Sequence, residues 1–272
     1  MTVYENQPFD GINNVRDFGG YSSRYGRIRH DRLLRSAALD EASDQDLEIL
    51  DGLNLDVVID LRSTAERELA PSRRSSGFSG QVIEVQEVNG NEPPHLRLIE
   101  GRQQPAVRLH AAMQELYRSV TFDPGHLLHF SRALKAMTNT SGAVLVHCAA
   151  GKDRTGIFVA LVQQILGVPW DISLQDYLRS GSDLRLKDRL RERVRLIAQL
   201  KGVEVDAAGV EVLSGVDASY LQSAWDEIHR RCGSLENYCA LAGVDNLVLA
   251  ALRAQFIEQE VEGSAKSPCK GP

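Results

Sequence analysis

Val144-Leu145-Val146-His147-Cys148-Ala149-Ala150-Gly151-Lys152-Asp153-Arg154-Thr155-Gly156-Ile157 is the stretch on which the reading of this chain turns. Apolar β-formers run up to a single thiol, small and charged residues follow, and a helical pattern begins at once with Ile157, Phe158, Leu161, Val162 and Ile165. The spacing predicts a buried strand, a tight loop and a helix. A loop that turns into a helix N-terminus aims backbone N–H groups inward, and the helix dipole favours negative charge there. The residues from Ala149 to Arg154 are therefore laid out as an anion cradle, with inorganic phosphate or a similar oxyanion as its natural occupant.

Each residue type has a physical task in such a cradle. Cys148 lies in the same positive field, beside Lys152 and Arg154, the setting in which a cysteine acts as nucleophile. Arg154 offers a planar fork that can hold two phosphate oxygens at once. Gly151 and Gly156 allow backbone to approach where a Cβ would crowd. A sulfur-transfer loop of the rhodanese kind has one residue fewer between Cys and Arg, so the interval from Ala149 to Asp153 argues for phosphate. The blander alternative is an inert core thiol followed by an ordinary solvated helix start.

His147-Cys148, five residues, then Arg154-Thr155 resembles the signature loop of cysteine-dependent protein tyrosine phosphatases. The fuller string from His147 to Gly156 is similar to the atypical bacterial PtpB-like branch, whose members often accept phosphoserine, phosphothreonine or phosphoinositides as well as phosphotyrosine. Asn14-Val15-Arg16-Asp17-Phe18-Gly19-Gly20-Tyr21, Leu34-Arg35-Ser36, Val58-Ile59-Asp60-Leu61-Arg62-Ser63 with Glu66, and Tyr177-Leu178 resemble the same branch in the same order. The resemblance implies an α/β fold of the tyrosine phosphatase type, with a mostly parallel central sheet flanked by helices and extra helices after the loop. It also implies hydrolysis of phosphate monoesters through a phospho-cysteine. The acid of common members stands on a separate mobile loop, whereas here Asp153 stands inside the cradle and is the natural candidate, with Asp60 as an open alternative. Some members carry a helical lid in the region matching residues 170–205.

With 272 residues and 43% apolar content, the chain is long enough for one large α/β domain, taken here as residues 1–262, with a disordered polar tail at 263–272. A net charge of −6 argues against a general nucleic-acid binder. No basic flank precedes an apolar run at the start, and no eighteen apolar residues occur together, so neither a secretion signal nor a membrane span is expected. Cys148, Cys232, Cys239 and Cys269 form no zinc pattern, and a reducing cytoplasm fits them best. Secretion without a signal peptide is the alternative if the protein is a bacterial effector. No metal or other cofactor is expected, because the cradle amides and Arg154 already neutralise a phosphate.

Along the chain, residues 11–40 read as a small antiparallel start to the sheet, with Arg16 and Asp17 bracing the site. Ser43 caps a helix to Leu53, and Asp56 to Leu61 is a buried strand ending near the expected site. Ser63 and Glu66 make a capping box for the next helix. Gln81 to Val88 is a further strand, Asn89 to Gln104 a broken polar loop, and Pro105 to Val120 and Asp123 to Thr138 are crossover helices. Ile172 to Arg179 and Leu184 to Lys201 are helices. The second places Leu186, Leu190, Val194 and Ile197 on one stripe between Arg185 and Arg189 on one flank and Lys187, Arg191 and Arg195 on the other. That stripe packs a helix with solvated arginines, or the helix draws anionic substrates or a membrane surface to the site mouth. Ala218 to Cys232, Ser234 to Ala242 and Asn246 to Glu260 close the helical layer.

Asp60 serves either in catalysis or as a structural carboxylate tied to Arg62 or backbone amides. Lys152 adds charge for a substrate with more than one phosphate, or is a solvated loop lysine. His147 orients the loop, and Thr155 offers its hydroxyl to the thiolate or to the attacking water. The substrates in view are a phosphorylated protein or a phosphoinositide. A phosphate-binding module without turnover is the third reading.

Overall fold

A computed structural model of the chain describes residues 9–84, 98–101 and 103–258. Its centre is a five-stranded sheet in the order β1 (Arg16–Asp17), β4 (Leu33–Ser36), β8 (Ala143–His147), β5 (Leu55–Asp60), β6 (Gln81–Ile83). β4, β8, β5 and β6 run parallel, and only β1 is antiparallel to its neighbour. A separate hairpin pairs β2 (Ser22–Ser23) with β3 (Gly26–Arg27). The antiparallel start expected for residues 11–40 is thus split between the sheet edge and this hairpin.

The sheet's two faces follow from the period of two in its strands. Leu33, Val57, Ile59, Val144 and Val146 face one core with Phe130 and Phe158, while Leu34, Val58 and Leu145 face a second core with Ile49 and Leu50. Every residue of β8 is buried, as a central parallel strand requires. α1 (Asp44–Gly52) covers the second face. Its cap is a box in which Ser43 accepts from the Asp46 amide and Asp46 accepts from the Ser43 amide.

After α2 (Thr64–Leu69) and β6, the crossover to β8 is made by α3 (Ala106–Phe122) and α4 (Pro124–Met137) on the first face. Asp123 caps α4 and Pro124 takes its first position, as the sequence predicts. α5 (Asp153–Ile165) leaves the end of β8 through the loop 148–152 and is buried along almost its whole length. α6 (Trp170–Leu178) follows, starting two residues before the expected Ile172 because Pro169 already supplies the extended residue ahead of the helix.

α7 (Leu184–Lys201) buries Leu186, Leu190, Val194 and Ala198, and Ile197 is only partly buried. The stripe steps by four at its end, so Ala198 replaces the expected Ile197. Leu186 and Leu190 form a cluster with Ala150, which seats α7 against the signature loop. β7 (Gln103–Gln104) pairs in parallel with β9 (Glu204–Val205), a contact the loop reading of Asn89 to Gln104 did not anticipate. α8 (Ala207–Ser214), capped by Asp206, was not expected either.

α9 (Ala218–Cys232), α10 (Leu235–Leu241) and α11 (Asn246–Phe256) complete the helical layer, with α3 packed along α8 and α9. The expected strand beyond Glu84, most of the polar segment after it, the tail 263–272 and Cys269 lie outside the described residues. Cys232 and Cys239 are unpaired. Among the described residues no single helix is long and apolar enough to cross a membrane.

Candidate active site

β8 delivers Cys148 to the C-terminal end of the sheet, the edge at which open α/β sheets bind ligands. The loop after it is shaped by its carbonyls. Ala149 O accepts from the Ala38 amide at 3.2 Å, Ala150 O from Asn14 Nδ2 at 3.2 Å, and Gly151 O from Asn14 Nδ2 at 2.8 Å and Arg35 Nη2 at 2.9 Å. In a trans peptide the C=O of one residue and the N–H of the next point opposite ways. Three carbonyls held outward therefore turn the amides of Ala150, Gly151 and Lys152 inward, and these donate to no protein acceptor among the described residues. Gly151 makes the turn with φ +63°, where an added Cβ would lie 2.2 Å from the Ser36 carbonyl oxygen.

Asn14 is itself in the left-handed region at φ +59°, which asparagine tolerates. Arg16 bonds Asn14 Oδ1 and so aims its Nδ2 at the loop. Behind this pair, Asp176 accepts from Arg35 Nη1 at 2.7 Å, Arg16 Nε at 3.3 Å and the Tyr21 hydroxyl at 3.3 Å. Burial pushes the Asp176 carboxyl up, but the charges of Arg35 and Arg16 outweigh it and leave it below its usual range. Burial beside Arg35 brings Arg16 down to about 9. Arg16 thus braces the loop as expected. Asp17 does not: it accepts from the Gly19 amide at 2.7 Å and the Asp31 amide at 2.9 Å and fixes the turn before β4.

Arg154 is wholly buried and its fork is largely assigned. Nη1 donates to Glu66 Oε2 at 2.7 Å and to Leu61 O at 3.0 Å, and Nη2 donates to Glu66 Oε1 at 2.7 Å. A guanidinium has five N–H groups, so the Nε–H and one Nη2–H remain, and they share one edge of the plane. Such an edge matches two oxygens of a phosphate. Burial pushes the Glu66 carboxyl up, but Arg154 overrides it and holds it at about 2.

Cys148, Ala149, Ala150, Asp153 and Arg154 line a small pocket with Leu116, Tyr117, Val120 and Ile157. Asp153 opens α5, and its Oδ1 accepts from the Tyr117 hydroxyl at 2.6 Å. The Cys148 thiol, the Arg154 guanidinium and the Asp153 carboxyl group are thereby brought to one pocket.

The other candidates lie elsewhere. Asp60 pairs in register with His147, and both side chains follow Val58 and Leu145 to the face of the sheet opposite the one shared by Val146 and Cys148. Asp60 accepts from Arg62 Nε at 2.9 Å and Nη2 at 2.7 Å, and His147 and Arg62 together pull its carboxyl down further than burial lifts it. It is the structural carboxylate of the two readings. His147 Nε2 is 3.7 Å from Asp60, and Nδ1 is 3.4 Å from the Cys148 carbonyl oxygen; burial lowers its pKa against the pull of Asp60. It meets the loop backbone rather than the thiol.

Lys152 is buried rather than solvated, and its Nζ lies 3.7 Å from Asp153 Oδ2. Its Nζ donates to Leu213 O at 3.0 Å and Gly215 O at 2.8 Å, which ties the loop to the end of α8. The Thr155 hydroxyl is buried without a hydrogen-bond partner among the described residues, so of its two expected roles the bond to the thiol is not made.

In the sequence Glu66 stands out as a helix cap and as part of the resemblance, and Asn14 and Arg35 only as parts of that resemblance. Tyr117, Asp176 and Ser180 carried no local signal, since each meets the site across more than 20 positions of chain.

A cysteine-bearing loop of this build, set between a parallel strand and a helix N-terminus, is of the kind that defines the class of cysteine-dependent phosphatases. Residues 7–258 match the model of the tyrosine phosphatase family, and the chain belongs to that family. It is 30% identical over 253 residues to the Cupriavidus necator protein named "Putative tyrosine-protein phosphatase H16_A0669", covering 92% of this chain and 87% of that one. It is 29% identical over 275 residues to the triple specificity protein phosphatase PtpB of Mycobacterium tuberculosis, covering 91% of this chain and 97% of that one. A tyrosine-protein phosphatase of Nostoc commune matches at 33% over 144 residues, 52% of this chain and 46% of that one.

Proposed function

We propose that this tyrosine phosphatase acts on phosphotyrosine in proteins, with secondary action on phosphoserine and phosphothreonine, by way of a phospho-cysteine. The observation that carries the reading is the pocket itself: Asp153 shares it with Cys148 and Arg154, and its remaining walls, Leu116, Tyr117, Val120 and Ile157, suit a phenyl ring.

In the first step the Cys148 sulfur attacks phosphorus, the S–P bond forms and the P–O bond to the phenol breaks. Asp153 gives its proton to the leaving oxygen, while the inward amides and the free edge of Arg154 bind the oxygens that gain charge. In the second step Asp153 takes a proton from water as that water attacks phosphorus. The S–P bond breaks, the thiolate is restored and phosphate leaves.

Phosphoinositides are the second reading, and most of the features that favoured it in sequence are engaged otherwise. Lys152 holds backbone carbonyls. On α7, Arg185 donates to the Phe9 and Asp10 carbonyls, Arg189 pairs with Glu41, and Arg191 and Lys187 pair with Glu211. A reducing compartment such as the cytoplasm suits a mechanism that needs a free thiol.

The test is phosphate release from peptides bearing phosphotyrosine, phosphoserine or phosphothreonine and from phosphoinositide vesicles, comparing wild type with Cys148→Ser. Release that ranks phosphotyrosine first and vanishes in the variant is expected. Phosphoinositide ranking first would replace this reading with the second, and no release from folded, reduced protein would leave a phosphate-binding module.

A further inference from the structure

We propose that Tyr117, held in place by Tyr177, is the positioning residue that fixes which oxygen of Asp153 carries the acid proton. The inference rests on the acid role given to Asp153 above.

The Tyr117 hydroxyl lies 2.6 Å from Asp153 Oδ1 and 2.8 Å from the Tyr177 hydroxyl. Burial, reinforced by the charge of Asp153, pushes both phenols well above their usual range, so both keep their protons. The Tyr117 hydroxyl donates to Asp153 Oδ1, and in the ionised form of Asp153, whose oxygens can only accept, that is the one proton Tyr117 has to give. Tyr177 must then donate to Tyr117. The chain of donors runs one way, from Tyr177 through Tyr117 to Asp153 Oδ1.

The consequence is chemical. While Oδ1 accepts from Tyr117, the acid proton of Asp153 goes to Oδ2, the oxygen 3.7 Å from Lys152 Nζ. Without Tyr117 the proton can sit on either oxygen. A small misplacement of a catalytic group costs rate even when binding is intact.

The relay is also rigidly seated, on helices outside the signature loop. Tyr117 stands on α3, Tyr177 on α6, and the Tyr220 ring of α9 lies 5.7 Å from that of Tyr117. The two partners' rings meet edge to face at 6.1 Å. Tyr177 reaches this place only because position 156 lacks a side chain: a Cβ on Gly156 would fall 2.7 Å from the Tyr177 ring. The glycine at the end of the signature string is thereby explained by a tyrosine 21 positions on.

The experiment compares kcat/KM on a phosphotyrosine peptide, whose leaving group needs a proton, with that on 2,4-dinitrophenyl phosphate, whose leaving group does not. Asp153→Asn should lose about a hundredfold or more on the first and little on the second. Tyr117→Phe should lose about tenfold on the first with KM nearly unchanged, and less than about twofold on the second. Added to Asp153→Asn, Tyr117→Phe should cause no further loss, because both act through one proton.

Equal losses on the two substrates, or a full additional loss in the double variant, would overturn the positioning role alone. An Asp153→Asn variant that slows both substrates equally would overturn the acid role and this inference together. Tyr177→Phe, which keeps the Tyr117–Asp153 bond but removes its support, should show the same selectivity at smaller size; it decides the matter if Tyr117→Phe does not fold.

Discussion

Both carboxylate oxygens of Glu66 are taken up by Arg154, each at 2.7 Å, and the pair is buried. Glu66 Oε2 also accepts from the Ser63 amide at 2.8 Å, so the residue that caps α2 is the one that aligns the guanidinium in the phosphate cradle. The orientation of the fork is thereby set by the first turn of a different helix.

Glu66→Gln keeps the shape of this contact and removes one of its two acceptors. Inhibition by vanadate or inorganic phosphate should weaken by about tenfold and kcat/KM should fall with it, since charge-assisted bonds are worth roughly 1.5–3 kcal/mol. Glu66→Ala strands the Arg154 charge and should cost about 3–5 kcal/mol of stability in urea unfolding. Unchanged vanadate affinity in Glu66→Gln would show that Arg154 does not need this partner.

Acid should unfold the protein by releasing that same contact. Glu66 titrates at about 2 in the folded chain against an ordinary 4.5, so the folded form binds its proton less readily than the unfolded chain does. Its contribution, about 3 kcal/mol, is fully present above pH 4.5 and is lost as pH falls toward 2. Asp176 is depressed for the same reason and acts in the same direction. Stability measured by urea titration at a series of pH values should decline across that window, and the decline should be smaller in Glu66→Gln.

Gly151→Ala should abolish turnover without abolishing folding. The position combines φ +63° with a Cβ site 2.2 Å from the Ser36 carbonyl oxygen, so the loop must move away from β4 to admit a methyl group. Phosphotyrosine turnover should fall by about a hundredfold or more while circular dichroism keeps its wild-type helix signal. Near-normal turnover would mean that the cradle tolerates a different path.

Lys152→Met retains the buried stem and removes the ammonium from the carbonyls of Leu213 and Gly215. Two acceptors left without donors should lower stability by about 2 kcal/mol or more. KM for a phosphotyrosine peptide should change by less than about threefold, and the ratio of peptide to phosphoinositide turnover should stay the same. A selective loss on phosphoinositides would return Lys152 to a substrate-facing role.

Much of the site was legible because it is local. The run from Val144 to Ile157 contains the strand, the loop and the helix start, and hydrophobic periodicity together with the Cys148-to-Arg154 interval is enough to locate the thiol, the loop amides and the arginine of the proposed site. The caps at Ser43, Ser63 and Asp123 were legible for the same reason, since each bond closes within three residues. Where reading failed, the partner was distant. Lys152 offered a plausible solvent-facing charge until the α8 carbonyls, 61 and 63 positions on, were found around it.

By itself, then, the sequence determined the order of strand, loop and helix, and with it the place of the proposed phosphate cradle. Only the tertiary structure decided which side chains serve that place. Asp60 and Cys148 lie at the ends of neighbouring strands, and the choice between them as neighbours of the pocket was made by strand register, which sends Asp60 through one face of the sheet and Cys148 through the other. Tyr117 was brought to Asp153, 36 positions away, by the packing of α3 on the helices after the loop. Local periodicity is written in neighbouring residues, whereas register and helix packing are settled by burial summed over the whole chain.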